Sequence, residues 1–95
     1  MEGHEIWQHA NVNEQGLATT RLSTPASQLN PVIVLDKDTH AAVNAAQRVL
    51  DARAMTPVQN IKANAQILRD LNAAPASVIN AGEKATLNHA ANYGF

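Results

Sequence analysis

The stretch 30–44 constrains the fold most, because a short β-branched run there passes directly into a predicted helix. Residues 31–35 read Pro-Val-Ile-Val-Leu, the clearest strand signal in the chain, since Val and Ile suit the pleated surface of a sheet. Asp36 and Thr39 follow, and residues of these types favour turns and the N-caps of helices. The sequence therefore predicts a strand joined to a helix by a short, capped turn.

The polar residues of this predicted helix share one face. His40 and Asn44 are four positions apart, so both side chains project from the same side of a helix. Gln47 and Asp51 continue that stripe, in a helix predicted to end near Arg53. Two potential ligands on a rigid helix can share one metal ion. The alternative is an ordinary solvated face, because polar pairs at this spacing are common.

Two further helices are predicted in the C-terminal half. Thr56 and Gln59 have the spacing of a capping box, and Pro57 suits the first helical position. A third helix is predicted to begin at Pro75. Gly82 lies in its middle and weakens the helix by about 1 kcal/mol relative to Ala.

The chain before residue 30 is less regular. Residues 5–9 are predicted to form a short strand or an irregular turn, and residues 11–16 a polar, turn-rich segment. Residues 17–22 permit another extended piece, and residues 23–27 a loop or a single helical turn. Together with the strand and three helices, these segments predict an α+β fold that is predominantly helical.

The absence of cysteine narrows the possible chemistry. The chain has 95 residues and no Cys, so it is predicted to be one domain with a small core and no disulfides. Any metal ion must use His, Asn or carboxylate ligands, and a cysteine nucleophile is excluded. The chain also has no Gly-x-Ser-x-Gly elbow, P-loop, Rossmann glycine pattern or zincin His-Glu-x-x-His motif.

The charge and hydropathy of the chain argue against two further classes of protein. The formal net charge is −1, which argues against a free-standing, nonspecific nucleic-acid binder, since such domains carry an excess of Lys and Arg. No apolar run approaches the length of a membrane span, and no signal-peptide pattern is present. We therefore expect no membrane segment, and export only as part of a larger chain.

Three short motifs follow one another along the first half of the chain: Gly3-His4-Glu5, Asn30 and His40-x-x-x-Asn44. Their order resembles the HNH, or His-Me finger, nuclease superfamily. That superfamily has a ββα core with a histidine pair on a strand, a central Asn and a helical H-x-x-x-H or H-x-x-x-N motif. More narrowly, the chain looks like the Gly-His-Glu variant found in toxin modules at the C-termini of polymorphic bacterial toxins, including Rhs-type effectors.

The resemblance implies a metal centre in a small, irregular ββα-metal-type core followed by two further helices. His4, His40 and Asn44 are the implied ligands of a divalent cation, which would be Mg²⁺, Mn²⁺, Zn²⁺ or Ni²⁺. Asn30 is implied to tie the loop before the helix through side-chain hydrogen bonds.

The resemblance leaves the catalytic base open between two assignments. Glu5 stands where the superfamily often has a histidine base, and a carboxylate can act as a base, although it is intrinsically weaker than imidazole. In the reverse assignment His4 is the base and Glu5 a ligand. Neighbouring strand residues point to opposite faces, so both reach one site only where the backbone bends. His9 and His89 are less favoured candidates.

The function implied by the resemblance is a metal-dependent endonuclease toxin that cleaves DNA. Arg21, Lys37 and Arg48 lie around the core in sequence and are candidate contacts to the substrate. Such a module is the C-terminal part of a longer effector, acts in the cytoplasm of the target cell and is blocked by a cognate immunity protein. We expect a monomer. The alternatives are an RNase toxin of the same fold and a non-catalytic, small helical interaction domain.

Three polar residues of the C-terminal half are predicted to face solvent. Asn60 and Asn64 lie four positions apart on one face of the second helix, where they could alternatively line the site, and His89 lies in a polar stretch near the end of the third. Exposure is the simpler expectation for polar residues of surface helices.

Overall fold

The structure is a computed structural model that describes residues 2–18 and 24–95. Within these residues the chain forms two strands and five helices. In chain order they are β1 (Glu2–Glu5), α1 (His9–Glu14), α2 (Pro25–Gln28), β2 (Val32–Leu35), α3 (Lys37–Gln47), α4 (Pro57–Asp70) and α5 (Ala76–Ala91). The α+β class and the predominance of helix agree with the prediction from sequence.

The two strands form an antiparallel sheet that orients the first motif. Glu2 pairs with Leu35, and His4 pairs with Ile33. Residues directly opposite each other in an antiparallel pair lie on the same face of the sheet. Ile33 and Leu35 are buried in the core, and His4 is buried with them, whereas Val34 on the other face is exposed. The sheet therefore turns the His4 imidazole inward.

Helix α3 begins as the sequence predicts. Asp36 is its N-cap, and its carboxylate accepts hydrogen bonds from the Thr39 backbone N–H at 2.9 Å and the Thr39 hydroxyl at 2.7 Å. These bonds hold the pKa of Asp36 below its ordinary value. The cap starts the helix directly after β2, which places His40 in its first turn.

Helix α3 ends at Gln47, so the prediction that it extends to about Arg53 is wrong. The segment that follows is held by a distant residue. Asn11 is fully buried, and its Nδ2 donates to the backbone oxygens of Ala52 at 2.7 Å and Met55 at 2.8 Å. These carbonyl groups are satisfied by a side chain of α1 instead of by another helical turn, and the chain turns towards α4.

Helix α1 lies where the sequence predicted a polar, turn-rich segment over residues 11–16. The helix covers His9–Glu14 and buries Val12 against the core. Its buried Asn11 is satisfied by tertiary contacts, because its Oδ1 accepts a hydrogen bond from Trp7 Nε1 at 2.8 Å. Tertiary contacts here override the low helix propensity of the segment.

Helix α4 begins with the predicted capping box. The Thr56 hydroxyl accepts from the Gln59 backbone N–H at 3.2 Å, and Gln59 Oε1 accepts from the Thr56 backbone N–H at 3.0 Å. Pro57 is the first residue of the helix. The apolar stripe packs into the core through Ile61, Ala65 and Leu68.

Helix α5 approaches the sheet closely at Gly82. A Cβ atom there would lie 2.9 Å from Ile33 Cδ1 and 3.1 Å from Ile6 Cδ1. Separations this short force side chains or backbone to move. The sequence marks Gly82 only as a weak point in a helix, but in the structure a side chain at this position would meet the side chains of Ile33 and Ile6.

Candidate active site

A pocket of about 330 Å³ lies among β1, the start of α1 and one face of α3. It is lined by Gly3, His4, Glu5, Gln8, His9, Ala10, His40, Asn44 and Gln47. The Gly-His-Glu triplet of β1 and both candidate ligands of α3 therefore line the same pocket, although β1 and α3 are far apart in sequence. The fold thus brings the candidate catalytic and metal-ligand residues into one place.

The imidazole rings of His4 and His40 are neighbours in this pocket. Their ring centroids are 5.3 Å apart, and the ring planes are inclined by 78°. Two imidazoles that bind one ion at about 2.1 Å, with a near-tetrahedral angle between them, place their centroids about 5 Å apart. The observed separation is therefore compatible with one shared ion.

His4 is the most buried of the described candidate residues, with 4% of its surface exposed. Burial and, to a smaller extent, the charge of the neighbouring His40 together lower the pKa of His4 to about 4. The ring is therefore neutral at neutral pH, as a metal-binding imidazole must be. Its Nε2 lies 3.1 Å from Nε2 of Gln47, at hydrogen-bond distance.

His40 is tied to β1 by a hydrogen bond. Its Nδ1 contacts the carboxylate of Glu2, which links the first strand to the first turn of α3. The other ring nitrogen, Nε2, is the one that can bind a ligand. The Glu2 side chain is about half exposed, so this pair adds little to stability, and its effect is to orient the His40 ring.

Asn30 holds Glu5 at the edge of the pocket. Its Nδ2 donates to Glu5 Oε2 at 2.7 Å and to the backbone oxygen of Trp7 at 2.8 Å. Strand β1 ends at Glu5, and the chain bends at residues 6–7. The alternation of strand side chains therefore stops there, and Glu5 lines the same pocket as His4. Asn30 thus joins the Glu5 carboxylate to the backbone of the segment after β1, and its loop-tying role stays a prediction.

His9 also lines the pocket, at the first position of α1. Its Nδ1 atom is buried and makes no hydrogen bond within residues 2–18 and 24–95. Buried polar atoms without a partner are uncommon in folded proteins. His9 therefore stays a less favoured candidate for the base.

Asn44 supplies the third donor of the candidate metal site. It is half-buried and lines the pocket one helical turn after His40. In the part of the chain that the structure describes, no three His, Cys, Asp or Glu side chains are grouped to hold a metal ion. The candidate ligand set of His4, His40 and Asn44 is not a group of this kind, because its third ligand is an amide oxygen. Imidazole suits Zn²⁺ and Ni²⁺, and carbonyl oxygen suits Mg²⁺ and Mn²⁺, so these donors fit several divalent cations.

A group of hydrogen-bonded amides, here called the amide array, lies behind His4 and comprises Gln8, Gln47, Asn60 and Asn64. Asn60 and Asn64 are fully buried, so the prediction that they face solvent is wrong. Gln47 Nε2 donates to Asn64 Oδ1 at 2.6 Å. Gln8 Oε1 accepts from Asn60 Nδ2 at 2.8 Å and from Asn64 Nδ2 at 3.1 Å. Burial is tolerated because these amides satisfy one another.

The positions of Asn60 and Asn64 in the sequence indicate that they are buried, although their amino-acid type alone suggests exposure. On a helical wheel, positions 60 and 64 fall beside Ile61 and Leu68, at the edge of the apolar arc of α4. Polar residues at such positions are candidates for buried hydrogen bonding. The partner of Asn60, however, is Gln8, which lies directly before α1 and is 52 positions away, and no local pattern reveals it.

The candidate substrate contacts lie outside the pocket lining. Lys37 and Arg48 are exposed, in the first turn of α3 and directly after its last residue. At helical spacing they lie on the same face as His40 and Asn44. Arg21 lies outside the described residues.

His89 does not line the pocket and is not exposed as predicted. Only 9% of its surface is accessible, and its Nε2 lies 2.8 Å from the backbone oxygen of Ala26. Its ring packs edge to face on Trp7, with centroids 5.9 Å apart. His89 therefore joins α5 to α2 and the core, which is a structural role.

Comparison of the chain with models of protein families, with curated proteins and with solved structures gave no match. In residues 2–18 and 24–95, none of the helices has the length and apolar character needed to cross a membrane.

Proposed function

We propose that this chain is a metal-dependent endonuclease module of the His-Me finger type, with DNA as its substrate. The observation that carries the proposal is the convergence of His4, Glu5, His40 and Asn44 on one pocket. These residues come from two distant segments, and each is a candidate on sequence grounds alone.

His4, His40 and Asn44 would hold the divalent cation. When bound, such an ion offsets the negative charge that grows on a phosphate during hydrolysis. His4 is neutral because its pKa is lowered to about 4, and the Asn44 amide is uncharged. A ligand set with little or no negative charge leaves the positive charge of the ion available to phosphate.

Glu5 is the proposed base. Asn30 orients its carboxylate at the edge of the pocket, where it can accept a proton from an attacking water molecule. His4 suits this role less well, because the divalent cation would take up its lone pair.

The charges on one face of α3 favour a polyanionic substrate. Lys37, His40, Asn44 and Arg48 follow one another along it, so two cations flank the candidate metal ligands. Contacts of this kind position a phosphate backbone without reading its sequence. Local charge of this kind offers DNA a docking face although the chain as a whole carries a net charge of −1.

The proposed biological role follows from the resemblance. The module would act as a toxin that a larger effector delivers into the cytoplasm of a target bacterium. A cognate immunity protein would protect the producing cell by covering the pocket.

The test combines cleavage with metal binding. Plasmid cleavage is measured with Mg²⁺, Mn²⁺, Ni²⁺ or Zn²⁺, and Mn²⁺ and Ni²⁺ binding by calorimetry. His40→Ala should abolish both, because it removes a ligand from the pocket. Asp38→Ala, at an exposed position of the same helix, is the matched control and should leave both unchanged.

Three results would change the proposal. Unaltered metal binding by His40→Ala would show that the site is misassigned. Cleavage of RNA but not of plasmid DNA in a matched digest would identify an RNase toxin. No cleavage of either substrate by the folded protein, with any of the four ions, would favour a non-catalytic helical interaction domain.

A further inference from the structure

Each link of the amide array has a direction that the backbone determines. The array starts at the backbone N–H of Gln8, which donates to Asn60 Oδ1 at 2.9 Å. A backbone N–H can only donate, so this contact identifies the oxygen of the Asn60 amide. The NH2 group of Asn60 then donates to Gln8 Oε1 at 2.8 Å. The orientation of Asn60 thus follows from an unambiguous donor.

Asn64 is oriented by an unambiguous acceptor. Its Nδ2 donates to the backbone oxygen of Asn60 at 2.9 Å, and a carbonyl oxygen can only accept. Asn64 Oδ1 therefore faces Gln47, whose Nε2 lies 2.6 Å away. Because Asn64 Oδ1 can only accept, Gln47 must present its NH2 group and not its oxygen at this junction.

The same NH2 group of Gln47 reaches His4. Its Nε2 lies 3.1 Å from His4 Nε2, and it has a second N–H to donate. Two donors facing each other would repel, so the His4 nitrogen must be the acceptor. We propose that the amide array is a positioning device that holds neutral His4 in the tautomer with its proton on Nδ1 and its lone pair on Nε2.

This selection opposes the intrinsic preference of the side chain. An unconstrained neutral histidine in water carries its proton mostly on Nε2. One hydrogen bond of ordinary net strength changes the ratio of two tautomers about five-fold. Loss of the array should therefore return His4 towards the tautomer with the proton on Nε2.

The consequence for metal binding rests on the proposed function, but the tautomer itself does not. An ion can bind Nε2 only when that nitrogen carries the lone pair. The array populates that tautomer before the ion arrives. The hydrogen bond from Gln47 occupies the same lone pair, so the ion must displace this bond when it binds.

The test is side-chain ¹H–¹⁵N NMR of the full, metal-free chain at about pH 8, where neutral histidine predominates. These spectra show which ring nitrogen carries the proton. We expect Nδ1 in the parent protein. Asn64→Leu does not touch His4 but frees Gln47 to rotate, so the tautomer ratio should shift about five-fold towards Nε2–H. Gln47→Met removes the donor itself and should shift the ratio in the same direction.

Asn11→Leu is the matched control. Asn11 is as deeply buried as Asn64 but belongs to another hydrogen-bond group, so its loss should lower stability and leave the His4 tautomer unchanged. If Asn64→Leu does not fold, Gln47→Met at a less buried position carries the test. A proton on Nε2 in the parent protein, or an unchanged tautomer in the folded variants, would overturn the assignment.

Metal titration separates this inference from the proposed function. Ni²⁺ and Mn²⁺ binding by the parent chain is measured alongside the tautomer. If the parent protein shows the expected tautomer but binds neither ion at this site, the tautomer assignment is supported and the nuclease proposal is contradicted. If metal binding and cleavage are normal but the tautomer is reversed, the nuclease proposal is supported and the tautomer assignment is contradicted.

Discussion

At the residue scale, His4 links the stability of the chain to pH. Burial lowers its pKa from 6.5 to about 4 in the folded chain. Between these values the unfolded chain binds a proton that the folded chain excludes. Stability is therefore fully present above about pH 6.5 and decreases as the pH falls towards 4. The free energy of unfolding of the metal-free protein should decrease by about 3 kcal/mol across this window, as measured by urea unfolding.

His4→Gln provides the comparison for this pH dependence. Gln retains hydrogen-bonding capacity but has no titrating ring, so its free energy of unfolding should vary less across the same window. Because each protein is compared with itself, a general loss of stability in the variant does not affect the result. Equal slopes in the two proteins would assign the pH dependence to another group.

Glu5 is the residue at which the catalytic assignment is decided. Glu5→Gln keeps the shape of the side chain but removes the proton acceptor, so cleavage should be slower by about 10²–10⁴-fold while metal binding stays near normal. Glu14→Gln, at an exposed position of α1, is the control and should cleave normally. If Glu5→Gln weakens metal binding and added metal restores cleavage, Glu5 is a ligand, which supports the reverse assignment.

At the element scale, the contact between α5 and the sheet predicts the effect of Gly82→Ala. On helix propensity alone, Ala would stabilise α5 by about 1 kcal/mol. The new Cβ would lie 2.9 Å from Ile33 Cδ1, and overpacking of this kind typically costs about 1–3 kcal/mol. We therefore expect Gly82→Ala to destabilise the protein, as measured by urea unfolding.

The nearest of the atoms that the new Cβ would meet can be removed. Ile33→Val deletes the Cδ1 methyl group that the new side chain would meet, so adding it to Gly82→Ala should recover part of the loss. Ser77→Ala, at an exposed position of the same helix, measures propensity without the close contact and should be neutral or stabilising. A stabilising Gly82→Ala would show that α5 can move away from the sheet at little cost.

At the scale of the whole molecule, features that depend on nearby residues were predictable from sequence. The Thr56–Gln59 capping box and the turn from β2 into α3 each involve residues a few positions apart. The segment after α3, by contrast, contacts Asn11, which is 41 positions from Ala52. No local pattern contains that contact, and the predicted end of the helix near Arg53 was wrong.

The candidate site, too, was predictable only in part. The spacing of His40 and Asn44 predicted one side of the pocket, and the family resemblance placed the Gly-His-Glu triplet against it. The burial of Asn60 depends on its hydrogen bonds with Gln8, 52 positions away. Polar type alone favoured exposure, because the energy of burial is offset only by partners that the fold supplies.

The amide array consists entirely of uncharged groups. Salt therefore affects the array less than it affects the exposed charges near the pocket. Dissolved ions screen exposed charges but scarcely affect buried hydrogen bonds between neutral amides. Lys37 and Arg48 are exposed, so their attraction for a phosphate backbone weakens as ionic strength rises. Salt should therefore reduce how often a polyanion reaches the pocket without disturbing the orientation of His4. In kinetic terms, ionic strength would raise KM and leave kcat nearly constant.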